Sequence, residues 1–231
     1  MSTIKRTFVY KTTKECELRA DVYAPAEGPA RPAILWMHGG ALIAGHRENV
    51  LPHEVALFVG AGYSVVSIDY RLAPESKLEG IIEDVQGAYE WVRTAGPELF
   101  QADADCVAAM GPSAGGYLTL MAGFCLEPRP RALVAIAGYG DIVGEWYSRP
   151  DPFYRKQALV SQEAARAAVG ERETVGSRDW DNPRGTFYLY CRQQGLWPRE
   201  VGGHDPDAEP EWFERFCPVR NVTREYPPTM L

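Results

Sequence analysis

Cys106-Val107-Ala108-Ala109-Met110-Gly111-Pro112-Ser113-Ala114-Gly115-Gly116 is the stretch that decides the fold. Residues 106–110 form an apolar run of strand length, and an apolar helical pattern continues to about Leu126. Between them, Gly111-Pro112-Ser113-Ala114-Gly115 has the spacing G-x-S-x-G, which places a serine on a sharp strand-to-helix turn. Such a turn needs strained backbone angles, and the glycines on either side remove Cβ atoms that would collide there. The Ser113 hydroxyl then projects into a cleft, with a helix N-terminus behind it to stabilise developing negative charge. With 22 glycines in the chain the five-residue pattern alone is weak. The strand before it and the helix after it carry the argument.

Upstream, strand-like and helical patterns alternate. Residues 8–13 and 17–23 alternate with period two and read as an antiparallel pair. Residues 33–37 are a buried strand entering His38-Gly39-Gly40-Ala41. Residues 51–59 have helical spacing that Gly60 and Gly62 can stop, and residues 63–69 read as a strand. Ser76 and Glu79 form a capping-box signature. The stripe Leu78, Ile81, Ile82, Val85, Tyr89 and Val92 that follows belongs to an amphipathic helix. Residues 132–137 are a further buried strand. Strands alternating with helices imply an α/β class fold, a mainly parallel sheet flanked by helices on both faces. Its active site belongs at the carboxyl ends of the strands, where both glycine-rich segments lie.

The character changes after Asp141. Residues 142–225 carry many prolines and charges, four tryptophans (Trp146, Trp180, Trp197, Trp212) and no strand alternation, and residues 158–169 look helical. The expected organisation is a core over residues 1–141, a helical cap inserted over the sheet at 142–225, and the start of another core strand at 226–231.

Composition narrows the function classes. A chain of 231 residues is one domain with an appendage, long enough for a core without disulfides or metals. Lys and Arg total 24 against 31 Asp and Glu, a net charge of −7, which speaks against nucleic acid or an anionic membrane as partner. No apolar run reaches the roughly 18 residues of a membrane helix, and MSTIKRTFVY has no signal-peptide core. The five cysteines show no C-x-x-C and no zinc spacing, so reduced thiols, a cytoplasmic location and no metal or other cofactor are expected. Asn221-Val222-Thr223 is a sequon without an evident secretory route.

His38-Gly39-Gly40-Ala41 suits the other half of acyl-transfer chemistry. Acyl transfer needs donors aimed at the oxyanion of a tetrahedral intermediate. A glycine loop can present the N–H groups of Gly40 and Ala41, joined by that of Ala114. His38, at the start of the loop, is read as a brace and not as a base.

Three segments together resemble the hormone-sensitive-lipase-like esterases of the α/β-hydrolase fold. They are His38-Gly39-Gly40-Ala41, Asp69-Tyr70-Arg71-Leu72-Ala73-Pro74-Glu75, and Gly111-Pro112-Ser113-Ala114-Gly115-Gly116. The resemblance covers roughly residues 15–141, and the rest only as a cap of variable sequence. It implies serine-dependent hydrolysis of a small-molecule carboxylic ester of small or medium acyl chain, with Ser113 as nucleophile and an eight-stranded sheet. Two positions depart from the family. Ala41 stands where a third glycine is usual, and Pro112 stands where Asp is usual. The family's acid and histidine lie beyond the strand that residues 226–231 begin, so both are expected beyond Leu231, with little activity in residues 1–231 alone. The histidine after Ser113, His204, reads as an exposed turn residue. Its lesser role is a local base with Asp179, Asp181 or Asp205.

Other residues have plainer readings. Asp69 and Arg71 read as loop support in preference to an active-site ion pair, Glu83-Asp84 as a solvated helix face, and Cys125 as core. Trp146, Trp180, Trp197, Trp212, Tyr188 and Tyr190 serve equally as an acyl pocket or as packing within the cap. The rival function is a non-catalytic, receptor-like small-molecule-binding protein on the same fold, or an inactive esterase. Oligomeric state is not legible.

Overall fold

The computed structural model describes residues 3–176 and 183–231. Trp180, Asp179 and Asp181 therefore lie outside the described residues. Among the described residues, seven strands form one sheet in the order β1-β2-β4-β3-β5-β6-β7. β1 (Thr3–Thr12) and β2 (Glu17–Pro25) pair antiparallel, with Phe8 opposite Ala20, and β2 pairs antiparallel with β4 (Ser64–Ile68). From β4 onward every pairing is parallel: β3 (Arg31–Met37) to β4 and to β5 (Ala102–Pro112), β5 to β6 (Leu133–Ile136), and β6 to β7 (Thr229–Met230). The central strands are buried on both faces, which is why they read as continuous apolar runs.

Helices cover the two faces. α1 (Pro52–Gly60) packs Val55 and Val59 against Ile34, Trp36, Val65 and Met110 on one face. α2 (Leu78–Thr94) and α4 (Ala114–Cys125) cover the other face and share one core with Leu35, Met37, Val66 and Ala109. All six residues of the Leu78-to-Val92 stripe on α2 are buried. α3 (Gly96–Phe100) brings the chain from α2 into β5.

Residues 142–225 hold short helices and no strand among the described residues: α5 (Glu145–Ser148), α6 (Gln162–Ala167), α7 (Pro183–Gln194), α8 (Trp197–Gly202), α9 (Pro210–Glu214) and α10 (Pro218–Asn221). Phe187, Trp197, Val201 and Phe213 from this segment belong to the same core as α2 and α4. No helix of the described residues is long and apolar enough to cross a membrane.

Three expectations need correction. α2 is not started by a Ser76–Glu79 capping box: its N-cap is Lys77, which makes no side-chain cap bond. Ser76 Oγ is buried, and Glu79 instead pairs with Arg215. Asp84 is not on a solvated face. It is fully buried, with Oδ2 2.8 Å from Arg71 Nε and Oδ1 2.8 Å from Lys11 Nζ, while its neighbour Glu83 stays exposed. Asp69 and Arg71, read as loop support, do not pair with each other: Asp69 pairs with Arg47 at 2.6 Å and Arg71 with Asp84 and Glu173. The helix expected over 158–169 shrinks to α6, which Ser161 caps by accepting from the Ala164 N–H at 3.1 Å.

Candidate active site

Ser113 sits between the end of β5 and the first turn of α4, with φ 53° and ψ −115°. A positive φ is uncommon outside glycine and marks stored strain. The turn is this tight because β3 and α4 nearly touch: a Cβ on Gly115 would lie 1.9 Å from Met37 O. Only glycine permits that approach. The Ser113 N–H donates to Ile136 O at 2.8 Å, which ties the turn to β6. Pro112, which has no N–H to give, ends β5 opposite Ile136. The Ser113 side chain faces solvent.

The loop after β3 lies beside it, since a Cβ on Gly39 would come within 3.4 Å of Ser113 Cβ. Gly40 has φ 123° and a Cβ there would strike Ala44 O, so the loop folds back on itself at that point. The N–H groups of Ile43 and Ala44 both donate to Gly40 O at 2.9 Å. Ala41 (φ 56°) and Leu42 (φ 63°) are left-handed without being glycine. The expected alanine departure is therefore accommodated, at a conformational cost that the surroundings must offset.

His38 is fully buried, stacked on Tyr70 with ring centroids 4.1 Å apart. Its Nδ1 lies 2.7 Å from Gly39 O. A carbonyl only accepts, so Nδ1 carries the proton and Nε2 the lone pair. Burial pushes the His38 pKa down to about 3, outweighing the opposing hydrogen bond to Gly39, so the ring is neutral. Tyr70 also donates to His38 O at 2.8 Å. Glu75, from the same 69–75 segment, forms an ion pair with Arg184. Burial raises the Glu75 pKa, but Arg184 and the Gly170 N–H hold it below the ordinary carboxylate range.

The aromatic residues divide. Trp197 is buried, tilted against Tyr147 at 4.7 Å and edge-on to Tyr139 at 5.6 Å, and Tyr139 stacks on Tyr117 of α4. Trp212 packs with Phe213 and Phe216, and Trp146 is exposed. Tyr188 and Tyr154 enclose the Arg192 guanidinium, and Tyr190 is buried in the common core. His204 is half-exposed, hydrogen-bonds Glu209 at 2.9 Å and stacks on Trp212. Among the described residues no histidine hydrogen-bonds Ser113. Cys125 is half-buried at the end of α4, and burial pushes its thiol up to about 12. An open groove of about 630 Å³ between α2, α4 and the Arg215–Phe216 turn does not include Ser113. No group of three or more His, Cys, Asp or Glu among the described residues is placed to hold a metal ion.

Sequence reasoning missed Trp197 and Arg184 as partners of the 38–44 loop. Trp197 Nε1 donates to Ala41 O at 3.0 Å, and Arg184 Nε to Ile43 O at 2.5 Å. Their separations of 156 and 141 residues from those carbonyls leave no local signal.

Comparison with known proteins places this geometry. The BD-FAE family model matches residues 20–129. The chain is 34% identical over 185 residues to a non-reducing polyketide synthase, adrD, of Penicillium rubens, covering 74% of this chain and 7% of the synthase. The chain thus spans a small fraction of the length of that relative. Among solved structures, an alpha/beta hydrolase superfamily protein from Enterococcus faecalis superposes with a TM-score of 0.72 at 21% identity, covering 99% of this chain and 78% of that one. A thermophilic carboxylesterase cloned from a metagenomic library superposes with a TM-score of 0.64 at 24% identity, covering 99% and 67%.

Proposed function

We propose that this chain, an α/β-hydrolase that resembles the hormone-sensitive-lipase-like esterases, carries the nucleophile and oxyanion hole of a serine carboxylic-ester hydrolase. The observation that carries this reading is the strained, solvent-facing Ser113 at the end of β5, directly beside the 38–41 loop. A strained turn that exposes a hydroxyl is a cost without a purpose unless the hydroxyl reacts.

In this reading Ser113 Oγ attacks the ester carbonyl carbon and gives its proton to a histidine base. The N–H groups of Gly40, Ala41 and Ala114 hold the developing oxyanion. Collapse of the tetrahedral intermediate expels the alcohol, which takes the proton back from the base. Water then attacks the acyl-enzyme by the same route and releases the acid. In this reading base and orienting acid come from outside the described residues, since among these no histidine hydrogen-bonds Ser113: His38 is turned into its loop, His46 accepts from the Glu48 N–H and His204 is paired with Glu209. Residues 142–225 act as a cap, and small or medium acyl groups follow by analogy with the esterases the chain resembles. The relation to a polyketide synthase adds polyketide-derived acyl esters to the panel worth assaying.

A second reading, a non-catalytic binder of small molecules on the same fold, is favoured by the absence of a histidine bonded to Ser113 among the described residues. A fluorophosphonate separates the two. The longest product of the gene should gain one phosphonyl mass on Ser113, and Ser113→Ala should abolish it. A folded protein that stays unlabelled sinks the hydrolase reading. Residues 1–231 alone should turn over a short-chain nitrophenyl ester weakly, because loss of the histidine in such a triad costs about 10⁶ in kcat. Robust Ser113-dependent turnover by residues 1–231 would refute the outside base and promote His204.

A further inference from the structure

Six successive peptide units run from His38 to Ala44, and each of their carbonyls accepts a hydrogen bond. His38 O takes the Tyr70 hydroxyl, Gly39 O the His38 Nδ1–H, and Gly40 O the N–H groups of Ile43 and Ala44. Leu42 O takes the Ala73 N–H at 2.8 Å. The remaining two carbonyls are held by the helical segment: Ala41 O by Trp197 Nε1–H of α8 and Ile43 O by Arg184 Nε–H of α7. Arg184 also donates to Ala73 O at 2.6 Å and to both oxygens of Glu75. One buried guanidinium thus binds Ile43 directly and also holds Ala73, the residue whose N–H binds Leu42 O.

A trans peptide unit is planar, with its N–H opposite its C=O. Pinning a carbonyl outward therefore aims the N–H of the next residue inward. Gly39 O and Gly40 O are pinned by the loop itself and set the directions of the Gly40 and Ala41 N–H groups. That set holds only while Ala41 and Leu42 stay left-handed, a conformation that neither alanine nor leucine favours. The peptide between those two residues is held by α8, through Ala41 O, and the peptide after Ile43 by α7, through Ile43 O. Trp197 is itself locked by Tyr139 and Tyr147, and Tyr139 stacks on Tyr117 of the helix that Ser113 begins.

We propose that Trp197 and Arg184 are positioning residues that hold the 40–43 loop in its oxyanion-binding shape. The helical segment thereby couples its own seating to the readiness of the site. When α7 and α8 are seated, the Gly40 and Ala41 donors face Ser113. When they lift, the two left-handed residues relax and the donors turn away. This rests on the reading of that loop as the oxyanion hole.

Trp197→Phe keeps a ring against Tyr139 and Tyr147 and removes the Nε1–H donor together with some buried ring volume. Arg184→Lys keeps the charge for Glu75 but cannot also reach Ile43 O and Ala73 O. Backbone hydrogen exchange of the whole chain, followed by mass spectrometry, should be at least about 10-fold faster in the peptide spanning 38–46 for both variants. Peptides from β3 and α4 should be unchanged. In the longest gene product, kcat on a nitrophenyl acyl ester should fall about 10-fold with KM within about 2-fold. Unchanged exchange in a folded variant overturns the coupling, and so does unchanged kcat alongside faster exchange. If Trp197→Phe does not fold, Arg184→Lys carries the same readouts. A wild-type protein with no Ser113-dependent turnover would sink the esterase reading alone, while the exchange result still decides whether the segment holds the loop.

Discussion

At the scale of single residues, His38 illustrates how a histidine beside a reactive serine serves without being its base. Its Nδ1–H is committed to Gly39 O and its ring is buried against Tyr70. Burial keeps it neutral down to about pH 3, whereas in the unfolded chain it titrates near 6.5. Below pH 6.5 the unfolded state therefore binds one more proton than the folded state, and stability falls as pH falls from 6.5 toward 3. The loss is about 1.4 kcal/mol per pH unit, or about 2 kcal/mol at pH 5. His38→Asn can still donate to Gly39 O but does not titrate. Urea unfolding at pH 7 and pH 5 should show a pH-dependent loss in the wild type that is about 2 kcal/mol larger than in His38→Asn. Equal pH dependence in the two proteins would mean that His38 is protonated in the folded state.

At the scale of elements, α2 shows what the chain discloses about itself and what it withholds. The stripe from Leu78 to Val92 was legible because one helix face alternates at a fixed period and all six of its residues are buried. The elbow was legible too, since G-x-S-x-G after an apolar strand constrains a local backbone turn. Asp84 was not legible. A carboxylate in a helix reads as solvated unless its partners are known, and those partners are Arg71 on the loop after β4 and Lys11 on β1. The same applies to Trp197 and Arg184, whose carbonyl partners lie more than a hundred residues away. Local periodicity is written in sequence, whereas the partner of a buried polar group is decided by packing. Asp84 consequently holds three pieces together: α2, the edge strand β1 and the 69–75 segment. Removing one member of a buried pair leaves the other charge uncompensated, which costs about 3–5 kcal/mol. Glu173 stays beside Arg71 and blunts that cost, so Asp84→Ala should lose about 3 kcal/mol in denaturant unfolding. A loss under about 1 kcal/mol would show that Glu173 alone satisfies Arg71.

At the scale of the whole molecule, the two edges of the sheet differ in kind. β1, the outer strand on one side, is ten residues long and carries Lys5, Arg6 and Lys11, charges that discourage a second chain from pairing there. β7, the outer strand on the other side, is two residues long, and Met230 and the following Leu231 are 63% and 87% exposed. Ile136 of neighbouring β6 is also exposed, and its carbonyl receives the Ser113 N–H. A strand edge whose side chains are uncharged and flanked by exposed apolar groups is a template for strand pairing with another polypeptide. Residues 1–231 should accordingly self-associate as concentration rises, through the β6–β7 side. Met230→Lys with Leu231→Lys places charge on that edge without touching the core, so stability should change by no more than about 0.5 kcal/mol. Sedimentation velocity across a concentration series should show a weight-average mass that climbs for the wild type and stays at one chain for the double variant. If both climb alike, association runs through another surface, and the β7 edge is shielded by something other than charge. If the wild type never climbs, the short β7 pairing suffices to close the sheet, and the exposed Met230 and Leu231 carry no interaction.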